Sequence, residues 1–116
     1  MNSTVVPMRM PSKANTPSQV AFHRTELNLI LSIYGQMVSK GEWKDYALDF
    51  RKDKAVFSIF RRATEYPLYR IEKVPALRHK QGQFSVIAPG GLILKRGQDL
   101  KTVLKVFDKL RLKSER

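Results

Sequence analysis

A chain of 116 residues with 42% apolar content suffices for one small domain with a modest core, because a domain of this size buries roughly two-thirds of the surface its unfolded chain exposes. The absence of cysteine excludes disulfides and thiolate metal sites and fits a reducing, cytoplasmic setting. Twenty-two Lys and Arg against ten Asp and Glu leave a net charge of +12, which attracts polyanions before any specific contact forms.

Residues 1–19 are rich in Ser, Thr, Asn and Pro and lack helical or strand periodicity, so disorder is expected there. Pro7, Pro11 and Pro17 interrupt every apolar run, which is unlike a secretory signal. No other stretch approaches the ~20 apolar residues of a membrane helix, so no membrane partner is expected. From Arg24 to Lys40, Leu27, Ile30, Leu31, Tyr34, Met37 and Val38 recur at steps of three and four, the stripe of an amphipathic helix. Gly41 supplies its stop, and Glu26 lies in the first turn, where the helix dipole favours an acid. The opposite face, with Asn28, Ser32, Gly35, Gln36 and Ser39, is small and uncharged.

After Trp43 the period changes to two. Tyr46, Leu48 and Phe50 alternate with Ala47, Asp49 and Arg51, and the turn Lys52-Asp53 leads into Ala55, Phe57 and Ile59, which together predict a hairpin. A third strand is expected from Leu68 to Val74, entered after Pro67 and closed by Pro75. The polar, basic segment from Ala76 to Gly82 is too short for a stable helix and reads as a surface loop. Phe84 to Ala88 and Leu92 to Lys95 flank Pro89-Gly90-Gly91, a second hairpin whose glycines permit positive φ. A closing helix begins near Asp99, with Leu100, Val103, Leu104, Phe107 and Leu110 as its buried stripe and Lys101, Lys105 and Lys109 as its wet one.

These elements predict an α+β domain over residues 20–113, with residues 114–116 frayed. Its expected architecture is an antiparallel sheet of four to five strands with an N-terminal and a C-terminal helix packed on one face. With the elements placed, the words Gly41-Glu42-Trp43-Lys44-Asp45-Tyr46, Ala55-Val56-Phe57-Ser58-Ile59-Phe60-Arg61-Arg62-Ala63, Pro67-Leu68-Tyr69-Arg70-Ile71-Glu72-Lys73, Gly91-Leu92-Ile93-Leu94-Lys95-Arg96-Gly97 and Val103-Leu104-Lys105-Val106-Phe107-Asp108 become notable. In that order they resemble a small family of alphaproteobacterial proteins catalogued as a domain of unknown function, over roughly residues 20 to 112. The resemblance implies a bacterial origin and a single domain, and no activity.

No catalytic, metal or phosphate-loop motif stands out, and the chain reads as a non-enzymatic protein without a cofactor. His23 and His79 stand in separate contexts, which argues against a metal site. Asp45 and Asp49 share one strand face but lack a neighbouring nucleophile, so salt partners for Lys44 and Arg51 are the simpler reading. Pro89-Gly90-Gly91 joins two strands and does not open a helix, so its amides lack the dipole that binds anions. Strand alternation places Tyr46, Leu48, Phe50, Phe57, Ile59, Tyr69, Ile71, Phe84, Val86, Leu92 and Leu94 toward the helices. The other face then carries Arg51, Phe60, Arg62, Leu68, Arg70, Ile87, Ile93 and Lys95, a mixed apolar and cationic surface of the kind that marks a partner.

Two partners fit that surface. A nucleic acid, free or within a ribonucleoprotein assembly, would stack a base on Phe60 while Arg51, Arg62, Arg70 and Lys95 neutralise phosphates, helped by Lys73 and the loop Arg78-His79-Lys80. Another protein, including a second copy, would instead bury Phe60, Leu68, Ile87 and Ile93. A small enzyme remains the third class, if His79 or the Asp45 and Asp49 pair lies in a closed pocket.

Overall fold

A computed structural model describes residues 19–62 and 66–109. The helix α1 runs Arg24–Ser39, followed by the strands β1 Asp45–Phe50, β2 Ala55–Phe60, β3 Tyr69–Lys73, β4 Phe84–Ala88 and β5 Leu92–Gly97. A short helix, α2 Leu100–Val103, then tightens into a 3-10 stretch Leu104–Phe107. The five strands form one antiparallel meander in the order β1-β2-β3-β4-β5. This is the expected α+β class with five antiparallel strands and an N-terminal helix, while the closing helix is shorter than its apolar stripe suggested. The expected disorder of residues 1–19, fraying of 114–116 and burial of Leu110 fall essentially outside the described residues.

Each element follows from local chemistry. The Glu26 carboxylate accepts the His23 backbone N–H at 2.8 Å, closing the first turn of α1. Gly41, at φ +76°, ends that helix with its N–H on the Val38 carbonyl. Lys52 and Asp53 make the β1–β2 turn, closed by the Arg51 N–H on the Lys54 carbonyl at 2.8 Å. The segment predicted as a surface loop opens with a 3-10 turn, Pro75–Leu77, and its Leu77 carbonyl accepts N–H groups from Lys80, Gln81 and Gly82. Gly82 is buried there at φ +101°, against the backbone of Gly97.

Register defines the two sheet faces, because directly paired residues point the same way. One face carries Tyr46, Ile59 and Tyr69 in one row and Leu48, Phe57, Ile71 and Val86 in the next. Against this face Tyr34 of α1 meets Tyr46 and Phe57 at ring distances of 5.0 and 6.0 Å, and Phe107 meets Tyr69 at 5.3 Å. The core comprises Ile30 and Met37 from α1, Phe57, Ile59, Ile71, Phe84 and Val86 from the sheet, and Leu100, Val103, Leu104 and Phe107 from the closing segment. Trp43 is buried as well, with Phe107 at 5.0 Å and Tyr34 and Tyr69 both at 6.2 Å. Val38, expected in the helix stripe, is instead 40% exposed.

Candidate nucleic-acid interface

The second sheet face is read from the same register. Across the strands, Ala47, Ser58, Arg70, Ile87 and Ile93 form one row, and Asp49, Val56, Glu72, Ser85 and Arg96 the next. The middle of this face is withdrawn from water: Val56, Glu72, Ser85 and Ile87 are buried. Burial of Glu72 is supported by two cations, Lys54 at 3.5 Å and Arg70 at 3.9 Å, since a buried carboxylate requires charge partners. The expected open, greasy and cationic surface is therefore smaller than strand alternation implied.

Three assignments change, each for a physical reason. Lys73 was expected to meet a polyanion, but it stands on the core face, where its ammonium is buried with Glu26 at 2.8 Å and the Ala21 carbonyl at 3.0 Å. Lys95 was expected beside Arg70, but a register shift between Val86 and Ile87 sets it opposite Val86, on the face of Ile71 and Phe57; the extra residue of such a bulge inverts the alternation. Leu68 was expected outward, but it precedes β3 and packs on the core cluster. With Leu68 packed against the core cluster and Ile87 buried, self-association through this face has lost two of its four apolar members.

The remaining cations divide between the two ends of the sheet. Phe60 and Arg62 close β2, and Arg70 lies near the start of β3, so these three share the end where β2 turns into β3. Arg51 at the end of β1 and the exposed Arg78, His79 and Lys80 after β3 lie at the opposite end, about 17 Å away along a five-residue strand. Arg51 is occupied by Asp49, whose carboxylate holds its guanidinium at 2.7 Å and pushes its pKa up. Asp45 and Asp49 are exposed on the edge strand, and His79 is exposed in its loop. Among the described residues no three His, Asp or Glu side chains gather as a metal site, and no helix is long and apolar enough to cross a membrane.

At the β2–β3 end lies a cleft of about 400 Å³ lined by Tyr66, Pro67, Arg70, Ile87, Ala88, Pro89 and Gly90. Tyr66 is 91% exposed, a large ring with little protein contact. Gly90, at φ +81°, turns the chain at the opposite wall in a conformation that favours glycine. The Arg70 guanidinium forms an ion pair with Glu72 at 3.9 Å, a separation too long for a hydrogen bond, so this contact does not use up its N–H donors. Sequence reading missed Tyr66 because it belongs to no periodic run. Its only signal was an aromatic ring in a polar connection just before a proline.

The model of a family described as protein of unknown function (DUF2794) matches residues 20–104. The chain belongs to that family. No curated protein and no solved structure matches it. The DUF2794 match spans α1, all five strands and every residue lining the Tyr66–Arg70 cleft, and it ends at Leu104, the first residue of the 3-10 stretch.

Proposed function

We propose that this protein is a non-enzymatic binding domain that engages single-stranded nucleic acid, or an assembly containing it, through the cleft between Tyr66 and Arg70. In this reading the two helical segments cover the opposite face and leave the cleft side to the ligand. The observation that carries the reading is that an exposed aromatic ring, Tyr66, and the Arg70 guanidinium line one cleft together with Pro67, Ile87 and Pro89, on a chain of net charge +12. A base stacks on an aromatic face whatever its sequence, and a guanidinium fits phosphate in a fork of two N–H bonds. Phe60 and Arg62 at the same end extend the platform, while Arg78 and Lys80, flanking His79, add long-range attraction from the far end.

Fluorescence anisotropy of a labelled single-stranded oligonucleotide between about 50 and 300 mM salt tests this, because releasing counterions makes log K fall linearly with log salt. Arg70→Ala should weaken binding and lower the salt slope by about one. Tyr66→Ala should cost about 1–3 kcal/mol while leaving that slope unchanged, since stacking releases no counterion. Binding indifferent to salt rejects the proposal.

A further inference from the structure

The first strand is an edge with an unusual combination of exposure and chemistry. All six residues of β1 are exposed, including Tyr46, Leu48 and Phe50 at 41%, 38% and 38% on the core side of the sheet. The Arg51 N–H bonds the Lys54 carbonyl, and Arg51 is in phase with Asp45, Ala47 and Asp49. In an antiparallel ladder these odd positions turn their backbone groups toward β2, so the even positions Tyr46, Leu48 and Phe50 turn theirs outward. Among the described residues the Tyr46 N–H accordingly donates to its neighbour's carboxylate, Asp45 Oδ1 at 2.9 Å, and to no strand partner.

We propose that a second copy of this chain pairs with β1 antiparallel about a two-fold axis at Leu48, joining the two sheets into one. Two-fold pairing brings the outward backbone groups of Tyr46, Leu48 and Phe50 into phase with themselves. With Leu48 opposite Leu48, Tyr46 stands opposite Phe50, burying aromatic and aliphatic surface. On the other face the same register sets Asp45 opposite Arg51, twice by symmetry, so each guanidinium, which already holds Asp49 of its own strand at 2.7 Å, would bridge that carboxylate and the Asp45 carboxylate of the second copy. Sliding by one two-residue step in either sense places Asp45 against Asp49, or Asp49 against itself, and like charges directly opposed are destabilising. Charge therefore selects a single register. The hairpin from Asp45 to Lys54 carries three acids and three cations, so this edge lacks the excess of positive charge that separates two copies of the chain elsewhere. The other edge, β5, is blunted by its register shift and by Lys95 and Arg96, devices that discourage edge pairing.

Sedimentation equilibrium of the full chain tests the pairing. The expected result is a reversible species of two 13.4 kDa chains. Asp45→Arg and Arg51→Glu, separately, should each weaken dimerisation about tenfold or more, since two symmetry-related attractions become repulsions. The double variant should recover most of that loss. Leu48→Pro removes an outward N–H and no bond to β2, so it should give a folded monomer by circular dichroism; if it unfolds, the charge-exchange series decides alone. A monomer at all concentrations, a dimer indifferent to the charge exchanges, or an open series of larger species, as pairing of β1 with β5 would produce, each overturns the proposal. Oligonucleotide binding by Tyr66 and Arg70 is read separately from mass, so failure of one leaves the other standing.

Discussion

Single residues in this protein act according to what surrounds them more than according to their type. Lys73 and Arg70 are two of twenty-two cations and sit three residues apart on one strand, yet one is sealed against Glu26 and the other opens into a cleft. Strand alternation points their side chains to opposite faces. Removing Lys73 alone leaves the Glu26 carboxylate mostly buried and short of a partner, so Lys73→Met should lower unfolding free energy by about 3 kcal/mol in urea titrations. Adding Glu26→Gln should recover part of that loss, because no buried charge then lacks its counter-ion. Asp99 is a milder case. The Thr102 hydroxyl donates to its carboxylate at 2.7 Å and, with lesser help from backbone N–H groups, holds its pKa below the ordinary value. A depressed carboxylate contributes stability that is present above its unfolded pKa and fades as pH falls through the folded one. Thr102→Val should move the Asp99 carbon chemical-shift titration back upward and flatten the acid limb of stability at that site.

Elements were legible wherever their apolar period ran long enough. The β1–β2 hairpin, the turn at Pro89–Gly91 and α1 to within a residue all follow from periodicity and turn chemistry. Periodicity failed where one extra residue entered a strand: the shift beside Val86 and Ile87 carried Lys95 to the side opposite the one that alternation gave it. It also failed in the connections. Trp43 and Tyr66 both lie between regular elements, and one is core while the other is 91% exposed, a difference that no local pattern encodes. The connection before β4 depends on Gly82, where an added Cβ would strike the Gly97 backbone and φ is +101°. Gly82→Ala should therefore cost more than about 2 kcal/mol by chemical denaturation, combining a forbidden dihedral with a clash that side-chain motion cannot relieve.

At the scale of the whole molecule, net charge and site geometry separate into two measurable quantities. On the proposed function, the +12 charge would set how strongly a polyanion is drawn in, and Tyr66 and Arg70 would set where it settles. Arg78→Ala should thus lower the salt slope like Arg70→Ala but leave the loss caused by Tyr66→Ala unchanged, since distant sites add. Pairing through β1 about an axis normal to the sheet would set both clefts on the same side, about 30 Å apart measured across six strand spacings and further offset along the strands, because the two-fold reverses strand direction. If both proposals hold, a longer oligonucleotide should bind the dimer more tightly than two short ones, by linking two sites on one strand.

Composition and pattern alone determined the α+β class and the antiparallel sheet of this basic chain, because burying a stripe or a face is a local property of residue order. Only tertiary structure decided that Lys73 is buried against Glu26, that the middle of the second sheet face is closed, and that Tyr66 and Arg70 border one cleft. Those outcomes depend on which residues become neighbours across strands and connections, and a chain read in one dimension holds the distances along itself but not the distances across the fold.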